Sequence, residues 1–146
     1  MYAVRPATRD VLAGVLNVDA AVVGDTHDET VIGPAIDAGR VLIAEEGGVV
    51  LAYLRWELFW DTIPFCLTVR VMPEHQRRGI GRAIYALAEE HFRGRGQGFW
   101  LSSTEETNKG SLRFHEALGF RRIGTLFDLG QEVGEIFLRK DLDQAK

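Results

Sequence analysis

The segment Gln76-Arg77-Arg78-Gly79-Ile80-Gly81-Arg82 constrains this chain more than any other. It follows a strand-like run that Pro73 must end, because proline cannot donate to a β ladder. It precedes a stretch in which Ile80, Ala83, Ile84, Leu87, Ala88 and Phe92 recur at helical spacing. The next strand-like run, residues 98 to 103, is then expected parallel to residues 63 to 72, joined by a right-handed crossover. The start of such a helix presents unpartnered backbone N–H groups and the positive end of the helix dipole. Glycines at 79 and 81 let an anion approach the backbone, and Arg77, Arg78 and Arg82 add positive charge. The turn is therefore a candidate phosphate cradle, although glycines before a helix are also ordinary turn residues. No Gly-Lys-Ser/Thr ends it, which argues against a P-loop. Ile84 stands where a dinucleotide fingerprint needs its third glycine.

The remaining pattern gives a coarse order. Residues 2 to 5 read as a strand ended by Pro6, and Thr8 or Asp10 can cap a helix with Val11, Leu12, Val15, Leu16 and Val18 as its stripe. A weaker helix over 27 to 38 is expected to break at Gly33-Pro34. Residues 40 to 46 and 49 to 60 form a hairpin about Gly47-Gly48, with the next turn at Asp61-Thr62. The helix over 80 to 94 ends at Gly94 and Gly96. A helix over 108 to 118 stops at Gly119, and strands over 120 to 127 and 132 to 139 close the chain. The order β-α-α-β-β-β-α-β-α-β-β makes an α/β chain with a mixed sheet of about seven strands.

The 146 residues suit a single domain spanning 1 to 146, with 46% apolar and 26% charged residues. No run of 18 apolar residues suggests a membrane span, and the start lacks the apolar core of a signal peptide. Cys66 is the only cysteine, so no internal disulfide forms and a cytoplasmic location is expected. A net charge of -4 argues weakly against a nucleic-acid partner. Charge is uneven: residues 1 to 68 hold 4 Lys/Arg and 10 Asp/Glu, residues 69 to 146 hold 13 and 11. That split suits a cationic substrate and an anionic ligand, or reflects solvated faces alone. His27, His75, His91 and His115 are scattered without metal-ligand spacing, so no metal site is expected.

The glycine turn resembles motif A of the GNAT superfamily of N-acetyltransferases, Gln/Arg-x-x-Gly-x-Gly/Ala, at Gln76, Gly79 and Gly81. Asn108-Lys109-Gly110-Ser111-Leu112-Arg113-Phe114-His115-Glu116-Ala117-Leu118-Gly119-Phe120 is similar to the family's second signature at Asn108, Gly119 and Phe120. The resemblance implies a GNAT fold with helices on both faces of the sheet, and acetyl-CoA as acyl donor. It implies that backbone groups at Val69 and Val71 pair with pantetheine, and that residues 76 to 82, Ile80 included, cradle the pyrophosphate. Asn108, Ser111 and Phe114 would flank the CoA arm; Asn108 is also a good helix cap. His115 takes the place of a tyrosine that the family is proposed to use as the acid for the leaving thiolate. A packed or surface histidine is the competing assignment.

The resemblance also implies direct attack by an amine, so Cys66 is not needed as a nucleophile. Glu57, inside the apolar run from Tyr53 to Trp60, is the first candidate base, with Asp61 second. Strand alternation puts Arg55 and Glu57 on one face, so an ion pair is the rival. Trp56, Phe59 and Trp60 can wall an acceptor pocket or belong to the core, and Ser103 within Ser102-Ser103-Thr104 offers polar contacts. The expected activity is acetyl transfer to a primary amine of a small molecule. The alternatives are a protein or peptide N-acetyltransferase, or an inactive CoA-binding sensor. Residues 120 to 139 are apolar enough to allow the homodimer through the last strands that the resemblance implies for many members.

Overall fold

The computed structural model describes residues 1–24 and 29–143. His27 and the first two residues of the helix expected from residue 27 lie outside the described residues. The elements are β1 (Ala3–Pro6), α1 (Leu12–Val23), α2 (Glu29–Asp37), β2 (Val41–Glu46), β3 (Val49–Phe59) and β4 (Ile63–Val71). They continue as α3 (Ile80–Gly94), β5 (Phe99–Glu105), α4 (Lys109–Ala117), β6 (Arg121–Leu126) and β7 (Glu135–Asp141). The strands form one seven-stranded sheet in the order β1-β2-β3-β4-β5-β7-β6. β4 and β5 are parallel with Phe65 opposite Leu101, while β5 and β7 run antiparallel, so the sheet is mixed.

Three expectations need correction. Pro6 belongs to β1, opposite Leu42; the strand is the sheet's edge, where a missing donor costs little. Gly33 and Pro34 do not break the second helix: both lie inside α2, held there by burial of Ile32, Ala35 and Ile36. A Cβ at Gly33 would sit 2.9 Å from Arg9 Nη1, the movable end of an exposed side chain, so Gly33 lets Arg9 lie close against α2. The hairpin turn after β3 is Trp60-Asp61 rather than Asp61-Thr62. Both residues have positive φ, 53° and 59°, and Thr62 N donates to Phe59 O at 3.2 Å.

The chain divides into two compact units. One holds Met1–Glu57 with Thr68–His91; the other holds Leu58–Leu67 with Phe92–Lys146. In the first, Val15, Val18, Ile32 and Ile36 of α1 and α2 pack with Ile43 and Tyr53. Trp56 has the opposite strand parity to Tyr53, and its ring lies 5.7 Å from His91 of α3. Helices thus cover both faces of the sheet in this unit. In the second, Trp100 of β5 is fully buried between Phe92 and Phe120, at 5.2 and 5.4 Å.

Candidate active site

The glycine turn belongs to the first unit. Arg77 and Gly79 take positive φ, 66° and 79°, which brings the chain sharply from the short helical turn Pro73–His75 into α3. Ala83 N donates to Gly79 O, so Gly79 caps the helix while bringing no side chain to the next N–H groups. A Cβ built at Gly79 would meet only Tyr2 Oη, at 3.8 Å, so the turn is open there. The N–H groups of Ile80, Gly81 and Arg82 are the first of the helix and have no intrahelical acceptor. Ile80 is buried, while Arg77 and Arg82 are exposed with no ion pair among the described residues. This arrangement fits a pyrophosphate.

Arg78 points elsewhere. It meets Glu46 at 3.0 Å, His75 Nδ1 at 2.9 Å and the face of Tyr2 at 5.6 Å. Arg78, with the terminal amine, holds the Glu46 carboxyl down to about 2. Gln76 donates to Val71 O at 3.3 Å, tying the turn to the end of β4. Val69 and Val71 are half-buried on that strand.

In the second unit, Asn108 caps α4: its Oδ1 accepts from Ser111 N at 3.1 Å. Asn108 is exposed, and Ser111 and Phe114 are half-buried on the same helix. His115 is 2% exposed. Its Nδ1 lies 2.8 Å from Ser111 O, and its Nε2 lies 2.9 Å from Ser102 Oγ. A carbonyl only accepts, so Nδ1 carries the proton and Nε2 receives the Ser102 hydroxyl. Burial lowers the His115 pKa and keeps the ring neutral. In this tautomer Nε2 accepts from the Ser102 hydroxyl and carries no proton.

Glu57 is engaged by Arg40 and lies 3.6 Å from Arg55. Its two oxygens thus face two guanidiniums, the ion-pair alternative to the base. Trp56 is 6% exposed, against His91 and beneath Arg40 at 5.6 Å. It belongs to the core, because alternation turns it away from the face of Glu57. Phe59 and Trp60 do line a groove of about 370 Å³ within the second unit, together with Ile63, Leu101, Ile123 and Phe137. Trp60 is 79% exposed and edge-on to Phe59 at 4.8 Å. Asp61 is exposed beside it in the turn, and Ser103 is half-buried opposite Phe137.

One cluster escaped the sequence reading. Asp19 of α1 has no exposed surface, accepts from the Tyr53 hydroxyl and lies 3.0 Å from Arg70 Nε. Burial and the Asp19 carboxylate push the Tyr53 phenol up, so it stays a donor. The available signal was an acid inside the apolar stripe of α1, and a cation between Val69 and Val71. Among the described residues no three His, Cys, Asp or Glu side chains are grouped to hold a metal ion, and no helix is long and apolar enough to cross a membrane.

The chain is similar to the L-amino acid N-acyltransferase MnaT of Escherichia coli, 31% identical over 114 residues, covering 71% of this chain and 65% of that protein. It is similar to the L-methionine sulfoximine/L-methionine sulfone acetyltransferase of Salmonella typhimurium, 30% identical, covering 71% of this chain and 66% of that protein. It spans just under two thirds of the length of these relatives. A crystal structure of a GNAT acetyltransferase from Bacillus cereus matches with a TM-score of 0.83 and 26% identity, covering 100% of this chain and 99% of that one. Residues 18–120 match the model of the acetyltransferase (GNAT) family. With the seven-stranded sheet and the open glycine turn ahead of α3, this match covers most of the chain, which belongs to the GNAT acetyltransferase family.

Proposed function

We propose that this chain transfers the acetyl group of acetyl-CoA to a primary amine of a small molecule by direct attack. The open N-terminus of α3, flanked by Arg77 and Arg82, carries the reading. On it, the N–H groups of residues 79 to 82 hold the pyrophosphate, and backbone groups at Val69 and Val71 take the pantetheine. In the second unit, Asn108, Ser111 and Phe114 on α4 are the residues that the family resemblance assigns to CoA. The groove of Phe59 and Trp60, with Asp61 and Ser103 near it, takes the apolar part of the acceptor. The amine's proton goes to water, since the Glu57 oxygens face arginines. The thiolate leaves without an acid, because His115 Nε2 already accepts a hydrogen bond. The two bacterial relatives, whose names specify amino-acid acceptors, favour a small molecule over a peptide.

The same reading takes residues 1 to 146 as one catalytic domain and places it in the cytoplasm, where a lone cysteine stays reduced. It also pairs two copies through β6, which is exposed along its whole length at the sheet edge.

Calorimetric titration with acetyl-CoA, followed by thiol release over an amine panel, tests the proposal. We expect saturable binding that Gly79→Asp abolishes, by placing a negative charge at the anion site, with the variant still folded. Normal acetyl-CoA binding by a folded Gly79→Asp protein would remove the phosphate-turn assignment. Binding without thiol release from any amine would leave a CoA-binding module.

A further inference from the structure

We propose that Arg70 anchors a carboxylate of the acceptor, so that the substrate is an amino acid or related amino carboxylate rather than a simple amine. This rests on the acetyl-transfer reading above and names its substrate class.

The argument begins with Asp19. A carboxylate with no exposed surface, such as Asp19, is strongly disfavoured unless it is paired. The Tyr53 hydroxyl supplies a hydrogen bond but no charge. Arg70 supplies the charge through Nε, 3.0 Å from Asp19 Oδ1. That Nε is buried and off the axis of a hydrogen bond, yet the Arg70 side chain keeps 25% of its exposure. Asp19 and the Tyr53 hydroxyl hold the guanidinium from its buried side, and a quarter of the Arg70 side chain remains exposed.

The surroundings add positive charge. Tyr53, Arg55 and Glu57 share one face of β3 by alternation. Arg55 is 14% exposed, with a buried Nε that has no hydrogen-bond partner. Among the described residues, Arg40, Arg55 and Arg70 are balanced by Asp19 and Glu57 alone in their ion pairs. One guanidinium charge is left over. A planar fork held from its buried side suits a carboxylate, which it can bind with two parallel hydrogen bonds. A fixed cation repels the ammonium of a simple alkylamine or polyamine. An amino acid brings its own counter-charge.

Arg70 also lies between Val69 and Val71, the two positions assigned above to the acyl donor's arm. An acceptor held there is on the strand that the proposed function already uses. Its remaining side chain would set the preference among amino acids.

The test compares L-methionine with L-methioninamide as acceptors for wild type and Arg70→Lys. The amide keeps the amine and the side chain but loses the negative charge. We expect the wild type to favour the acid, and Arg70→Lys to lower kcat/KM for the acid by on the order of 100-fold, mainly through KM. The lysine variant retains a cation for Asp19, so folding is protected. The loss with the amide should be much smaller than with the acid, and the affinity for acetyl-CoA should change less than about twofold. Equal wild-type rates for acid and amide, or an equal loss of both in the variant, would overturn the proposal. If neither acceptor is acetylated, equilibrium binding of L-methionine decides. Binding lost in Arg70→Lys keeps the carboxylate site, and no binding to wild type overturns it; in either case the acetyl-transfer reading stands or falls separately, by thiol release over the amine panel.

Discussion

His115 and Ser102 are separated by 13 positions and meet only because α4 folds onto β5. The resemblance to a tyrosine site identified the position of His115, but its partner was invisible in the spacing. Its protonation has a consequence for stability. Burial lowers the folded-state pKa, so the unfolded chain binds the proton more readily. The contribution of neutral His115 is fully present above the unfolded pKa of about 6.5, and is lost as pH falls below it towards the folded value. Urea midpoints measured from pH 8 to 5 should be flat above about 6.5 and then decline, by at most about 1.4 kcal/mol per pH unit from this group. His115→Gln should remove that part of the slope. An unchanged slope in the variant would show that His115 is not the group responsible. Asp19 teaches a related lesson. An acid inside an apolar helix stripe announces a buried partner, but the choice of Tyr53 and Arg70 belongs to the packing of α1 against β3 and β4.

At the scale of elements, α4 separates two roles that its sequence leaves merged. Asn108 is the helix cap, and its amide nitrogen is proposed to meet the CoA arm. Asn108→Asp keeps the capping oxygen and loses the donor; Asn108→Ala loses both. Melting temperatures should fall for the alanine variant, by about 1 kcal/mol of stability, and stay near wild type for aspartate. Acetyl-CoA affinity should fall in both. If aspartate binds as tightly as wild type, the cap is the whole role of Asn108. The β3–β4 hairpin carries a different conflict. Trp60 and Asp61 occupy left-handed conformations that suit Asn-Gly far better than a bulky aromatic. Trp60→Asn with Asp61→Gly should therefore stabilise the fold by about 1–2 kcal/mol, as read by thermal unfolding. The same change should weaken use of apolar acceptors, because Trp60 lines the groove. Greater stability with unaltered acceptor preference would mean that the groove does not take the acceptor.

For the whole molecule, the exposed edge strand is the feature that composition did not disclose. β6 exposes Ile123 and Leu126, and Phe127 and Leu129 beyond it are 63% and 53% exposed. Sedimentation equilibrium at tens of micromolar should give about twice the 16.3 kDa chain mass, and Phe127→Lys with Leu129→Glu, next to β6 but outside the groove lining, should give a single chain. A wild-type protein that sediments as one chain would end the dimer proposal. The two compact units are interleaved along the chain, since β3 leaves one at Glu57 and β4 returns at Thr68. Local pattern alone fixed the strand and helix order, the parallel β4–β5 pair and the glycine turn, because these follow from hydrophobic period, proline and glycine. It misplaced the β3–β4 turn by one residue and broke α2 at Pro34, because burial of Ile32 and Ile36 outweighs a lost N–H. Only tertiary structure decided which side chains answer one another. Arg78 turned to Glu46, Glu57 to Arg40, His115 to Ser102 and Arg70 to Asp19. Periodicity records which face a residue occupies; the strand or helix that packs against that face settles its charge, its proton and its work.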